Sequence, residues 1–328
     1  MRRAGVGAGR LSARLASRYW NKRKAFCGLH QIRSVVSVPE ICQPVHSVSR
    51  EEFRKLAFDT CKPLVMRGDT PPGTISKWFQ FDAQGRACAT PYLSQFGRTS
   101  LVQYELLRDS PESVGGLEAF RSWLEAKDRE LAAYIEQSEE SLLHIHAPLA
   151  LFLNALEYNS SSPKPVTQIY IAQVPLSELP AMLQGDLPAP EVVKSAGRGD
   201  IYNSSIWLGL EPTYTSWHRD PNPNLFSQLH SSKKVRMLPP NAGQAIFRQV
   251  QARLGRSGNA HIRGYEMMYG EEREALQEAI WSSSAPGEIQ ETRLDAGDSL
   301  FIPKGWWHSI KSVAGDGRLN CSVNWWFR

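Results

Sequence analysis

Short apolar runs, each only a strand long and closed by a turn, dominate the chain beyond Pro165. Eight of them read as strands: residues 166–174, 201–210, 214–220, 224–229, 233–238, 299–303, 306–313 and 319–327. Many short strands with turns between them predict a mainly β fold, a sandwich or barrel. The texture changes between the fifth and sixth. There Ala, Gln, Arg and Glu predict helix around residues 245–254 and 271–281, so residues 241–292 are expected to be a helical insertion in the barrel. Residues 40–165 mix the two patterns and are expected to form an α/β portion packed on the barrel of residues 166–328. Within it, Ser49 followed three residues later by Glu52 makes a capping box ahead of Phe53, Leu56 and Ala57 at helical spacing. Residues 62–68 read as a short strand closed by Gly68, and residues 116–140 as helix. Residues 180–190 are a Pro-punctuated loop with no assigned role.

Composition narrows the setting. A length of 328 residues with 41% hydrophobic content is enough for a large core in one or two domains. The cysteines (Cys27, Cys42, Cys61, Cys88 and Cys321) are odd in number, far apart and without zinc-finger spacing, which favours a reducing compartment. No apolar run reaches the roughly 18 residues that a membrane-spanning helix needs, so no membrane partner is expected.

The net charge of +5 is concentrated at the front. Residues 1–39 carry nine Lys or Arg and no acid, which leaves 29 basic against 33 acidic residues in the rest, a net of −4. That body lacks the basic footprint of a nucleic-acid-binding domain, and nucleic acid is not expected as a partner. The leader places Arg10, Arg14 and Arg18 four apart beside Leu11, Leu15 and Tyr19, an amphipathic basic helix with the chemistry of a mitochondrial transit peptide. A disordered basic tail, or a nuclear address at residues 21–24, are the other readings, the latter two leaving the protein nuclear or cytoplasmic.

One histidine is followed two residues later by an acid, in His218-Arg-Asp220. On a strand, residues i and i+2 point the same way, so an imidazole and a carboxylate can meet one ion. The best third ligand is His308, which shares an inward face with Trp306 and Ile310; by itself it reads as a hydrogen-bonded core histidine. Two histidines and a carboxylate together form the facial triad of non-haem Fe(II) oxygenases, which leaves half of the coordination sphere open. A structural zinc site would be closed by a fourth ligand, typically sulfur, and no cysteine is near in sequence.

The ordered set Gln168 to Gln173, Trp207-Leu-Gly209, His218-Arg-Asp220, Asn224 to Gln228, Lys233, Leu238-Pro-Pro240, Gly297 to Pro303, Trp306-Trp-His308 and Ser322 to Trp326 resembles the JmjC and cupin-like family. The likeness runs over most of the chain, and is greatest to the small hydroxylases such as the asparaginyl hydroxylase of the hypoxia-inducible factor. It implies a double-stranded β-helix, or jelly roll, with flanking helices, and the cofactors Fe(II), 2-oxoglutarate and molecular oxygen. It further implies that Lys233, Tyr170 and Thr215 meet the far carboxylate of 2-oxoglutarate. Lys233 and Lys234 face opposite ways on a strand, so only one enters the barrel. Strict alternation would turn Thr215 away from His218 unless the chain bends between them. Asn324 is either beside cosubstrate and metal or a structural hydrogen-bonding group, and Asn224, Phe226 and Trp326 are expected at the pocket.

The activity so implied is hydroxylation, or N-demethylation, of an unidentified protein or metabolite, with 2-oxoglutarate decarboxylated to succinate. Hydroxylation is preferred because no zinc-binding cysteine array accompanies the barrel. The alternative is a cupin-like barrel that binds metal or a partner without turnover. Members of the family that dimerise often add helices after the barrel, whereas this chain stops at Arg328, so a monomer is expected.

Overall fold

The computed structural model describes residues 36–68, 73–107, 116–136, 142–257, 269–283, 285–286 and 288–328. Its first strands are β1 (Val36–Ser37), β2 (Glu40–Ile41), β3 (Leu64–Met66), β4 (Phe79–Phe81), β5 (Ala87–Ala89), β6 (Leu101–Leu107) and β7 (Leu142–Pro148). They are followed by β8 (Ile169–Pro175), β9 (Ile201–Leu210), β10 (Tyr214–Arg219), β11 (Asn224–His230) and β12 (Lys233–Leu238). The last four are β13 (Gln290–Leu294), β14 (Ser299–Ile302), β15 (Trp307–Ser312) and β16 (Leu319–Phe327). The minor sheet has the order β1-β13-β12-β15-β10 and the major sheet β2-β3-β14-β11-β16-β9-β8-β6-β7, while β4 and β5 pair by themselves. Because consecutive strands such as β10 and β11, or β14 and β15, change sheet, the chain winds as a jelly roll of the double-stranded β-helix type.

Period-two burial explains the layering. Val235, Met237, Leu294 and Ile310 of the minor sheet meet Phe226, Leu300, Ile302 and Val65 of the major sheet in an inner apolar cluster. The opposite residues of the major sheet, among them Ile206, Leu208, Leu225, Val323 and Trp325, join a large cluster with the N-terminal helices. Trp217, Leu238 and Trp307 point out of the other side of the minor sheet. The helices Pro240–Leu254 and Glu271–Trp281 cover them with Ile246, Phe247, Val250, Leu276 and Ile280. Gly243 is what permits this approach, since a Cβ there would lie 2.3 Å from the Trp307 ring.

Three boundaries differ from the sequence reading. The leader was expected to run to residue 39, but Val36–Ser37 already pair in parallel with β13 and Val38 is buried, because an apolar residue at every second position suits a sheet edge. The insertion was expected to stay helical to residue 292, yet β13 occupies Gln290–Leu294, pairing with β12 over five residues; its charged outward positions hide the strand pattern. The helix expected over residues 116–140 is two helices, Gly116–Lys127 and Arg129–Glu136, and its last four residues lie outside those described. Residues 1–35, which carry the basic leader, also lie outside them. Ser49 caps its helix as its spacing predicts, accepting from the Glu52 backbone N–H at 3.2 Å. The loop at residues 180–190 contains a short helix, Ala181–Gly185, and Asp186 just after it accepts hydrogen bonds from Trp78 Nε1 at 2.7 Å and the Tyr92 hydroxyl at 2.8 Å.

Candidate metal centre

His218 near the end of β10 stands directly opposite His308 on β15, with ring centroids 4.2 Å apart. Asp220 follows immediately after β10, and the Gly305 N–H donates to its carbonyl at 3.0 Å, tying the two ligand-bearing segments together. His218 Nε2 lies 4.0 Å from Asp220 Oδ1, and His308 Nε2 lies 3.7 Å from Asp220 Oδ2. The three donors are within 4.8 Å of one another, and among the described residues no further His, Cys, Asp or Glu completes the group.

The imidazoles are already oriented for an ion. His218 Nδ1 is 2.8 Å from the Ser216 carbonyl, and His308 Nδ1 is 3.1 Å from the Trp306 carbonyl. A carbonyl only accepts, so each Nδ1 carries the hydrogen and each Nε2 presents a lone pair. The carboxylate is held in turn. Asn224 Nδ2 donates to Asp220 Oδ2 at 2.9 Å, Asn324 Nδ2 donates to Asn224 Oδ1 at 3.1 Å, and Trp207 Nε1 donates to Asn324 Oδ1 at 2.9 Å. This relay runs from β9 through β16 and β11 to the acid and leaves none of its amide groups idle. Two nitrogen lone pairs, one anionic oxygen and no sulfur suit Fe(II).

The triad forms part of a cavity of about 230 Å³ between the sheets. Its lining includes all ten residues singled out in the sequence: His218, Asp220, His308, Lys233, Tyr170, Thr215, Asn324, Asn224, Phe226 and Trp326. Thr215 is there because of a bulge. The pairs Thr215 with Ile310 and His218 with His308 set three steps on β10 against two on β15, and the extra residue turns both side chains inward. Lys233, 2% exposed, donates to Ser322 Oγ at 3.1 Å and reaches the Tyr170 hydroxyl at 3.5 Å, whereas Lys234 lies 3.8 Å from Glu291 on the opposite face. Asn324 lines the cavity and carries the middle of the relay.

The model of the cupin-like domain matches residues 51–328. The chain belongs to that family. Lysine-specific demethylase JMJ30 of Arabidopsis thaliana is 26% identical to this cupin-like chain over 176 residues, covering 54% of it and 37% of the relative. Lysine-specific demethylase 8 of Danio rerio is 23% identical over 285 residues, covering 86% of this chain and 57% of the relative. Jumonji C domain-containing protein 5 of Drosophila melanogaster is 25% identical over 161 residues, 48% of this chain and 36% of that protein. The cupin-like chain thus spans between about a third and three-fifths of the length of these relatives.

Sequence reasoning gave no role to three residues of the site. Gln173 lines the cavity at a β8 bulge with a φ of 56°, a conformation that no alternation rule anticipates. Trp207 and Ser322 stood within quoted motifs, but only their partners, Asn324 and Lys233, reveal what they hold.

Proposed function

We propose that this chain is an Fe(II)- and 2-oxoglutarate-dependent oxygenase that hydroxylates a C–H bond of a protein or small-molecule substrate. The observation that carries the reading is the meeting, in one cavity, of an open three-donor group and a buried lysine flanked by hydroxyls. His218, Asp220 and His308 would hold the iron. Fe(II) with 2-oxoglutarate supplies the oxidising power, consuming oxygen, releasing succinate and carbon dioxide, and delivering one oxygen atom to the substrate.

The chain's own residues bind, orient and exclude water. Lys233 and Tyr170 receive the far carboxylate of the cosubstrate, with Thr215 at its side. That places a cation where a dianion must be buried, which offsets the desolvation of the carboxylate. The relay fixes Asp220 so that its carboxylate does not rotate between partners. Phe226, Ile310, Trp207 and Trp326 give the cavity apolar walls.

A second reading, N-demethylation, is favoured by the names of the plant and fish relatives. It uses the same hydroxylation at an N-methyl carbon, with loss of formaldehyde. Production of succinate from 2-oxoglutarate by the iron-loaded protein, together with an oxygen-dependent mass gain in a peptide or metabolite extract, tests the oxygenase. Formaldehyde release separates the two readings. Failure of the protein to bind either Mn(II) or 2-oxoglutarate would instead favour a barrel that binds partners without turnover. Mitochondrial import by the basic leader is proposed separately; a tagged full-length protein whose N-terminus stays intact in cells would refute it.

A further inference from the structure

Glu211 is a fully buried carboxylate, 0% exposed, immediately after β9. The alternation on β9 explains where it points. Trp207 lines the cavity, Gly209 pairs with Tyr170 and Asn320, and Glu211 continues that inward row one step deeper, about 7 Å on at two residues' rise. Gly209 leaves room for the Tyr170 ring, since a Cβ there would lie 2.7 Å from it. Glu211 Oε1 accepts from Ser231 Oγ at 2.5 Å and from Asn320 Nδ2 at 2.8 Å, and the same Asn320 amide donates to the Ser232 carbonyl at 3.3 Å. The carboxylate therefore grips the turn that leads directly into Lys233. Its second oxygen, Oε2, has no hydrogen-bond partner, and neither has Oε1 of the neighbouring Gln228, whose amide donates to Asn320.

A buried carboxylate with an unsatisfied oxygen is costly unless an opposite charge stands near. Among the described residues, two cations are candidates. Arg318 faces Glu211, but its guanidinium is bound to Asp316 at 2.5 Å and is 53% exposed. Lys233 is buried in the same interior, with its ammonium on Ser322, the cross-strand neighbour of Gln228. We propose that Glu211 is the buried counter-charge of Lys233 and, through it, a positioning residue for the cosubstrate carboxylate. The second clause rests on the oxygenase reading; the first does not.

The two parts separate in experiment. Melting temperatures of the metal-free chain are measured for Glu211→Gln, Lys233→Met and the double variant. The expected result is that Glu211→Gln lowers the melting temperature of the parent but raises that of Lys233→Met, because the carboxamide no longer needs a cation. Equal changes in both backgrounds would overturn the pairing, whatever the chain's activity. The second measurement is 2-oxoglutarate binding to the Mn(II)-loaded protein across pH, followed by tryptophan fluorescence. In Glu211→Gln the alkaline loss of binding is expected to begin about one pH unit lower, since an ammonium without its counter-charge deprotonates sooner. The other titratable groups facing Lys233, the Tyr170 phenol and the buried Cys321 thiol, are unchanged between the two proteins. An unshifted alkaline limb would refute the positioning role. Coupled melting temperatures with no cosubstrate binding at all would leave the pair standing and remove the oxygenase.

Discussion

Asn224→Ala interrupts the relay at its junction with the acid. The side chain is 3% exposed and donates to Asp220 Oδ2 at 2.9 Å while accepting from Asn324 at 3.1 Å. A hydrogen bond to a buried charged group contributes about 1.5–3 kcal/mol. At about 1.4 kcal/mol per factor of ten, that corresponds to roughly 10- to 100-fold weaker metal binding. Titration of the metal-stripped variant with Mn(II) against a competing chelator reads the change directly, without turnover. Trp207→Phe removes only the far end of the relay and should weaken binding less than Asn224→Ala does. If Asn224→Ala kept an affinity within about twofold of the parent while melting normally, the relay would be packing rather than orientation, and the reasoning would fail.

Asp220→Ala removes the only anionic donor of the group, and metal analysis should find little Mn(II) or Fe(II) retained after dialysis. Lys233→Ala should raise the KM for 2-oxoglutarate more than Thr215→Val, because losing a partner of a buried charge pair costs roughly 2–5 kcal/mol against about 1.5–3 for one hydrogen bond to a charge. Gly243→Val drives side-chain atoms into the Trp307 ring and should cost about 1–3 kcal/mol or more in urea unfolding, by the usual penalty of overpacking. Burial, with the Arg318 guanidinium nearby, holds the His230 imidazole down at about 4. The unfolded chain, with its histidine near 6.5, therefore binds more protons between these values, and stability should fall as pH drops from about 6.5 to 4. His230→Gln should flatten that part of the profile, and an unchanged slope would show that another group titrates.

The barrel was largely legible because its strands are short, mostly apolar runs closed by turns: residues 201–210, 233–238 and 319–327 are strands with the bounds their patterns suggest. The convergence of the three donors was legible because the His218 and Asp220 spacing occurs once in the chain and the strand face of His308 is apolar. Thr215 was not resolvable by periodicity, since one extra residue in β10 reverses the face, and nothing local in Thr-Ser-Trp announces a bulge. Strands β6 and β7, which extend the major sheet, were hidden for another reason. Leu101–Leu107 alternates buried residues with exposed ones such as Gln103, and Leu142–Pro148 is interrupted by His144 and His146, so neither forms the continuous apolar run by which the barrel strands stand out. Polar connections such as the relay depend on which side chains the fold makes neighbours, and Trp207 is 117 positions from the asparagine it holds.

Each histidine of the candidate centre is preceded by a tryptophan, and the sheet sorts the two kinds to opposite sides: His218 and His308 inward, Trp217 and Trp307 outward. The indoles stack at 5.9 Å and are clamped by Phe247 and by the backbone of Gly243, whose carbonyl accepts from Trp217 Nε1 at 3.3 Å. The helical pair is therefore a backing plate bolted one residue behind the candidate donors. Evolution or an engineer could retune the spacing of the imidazoles by altering residues that never see the solvent of the cavity, leaving every ligand in place.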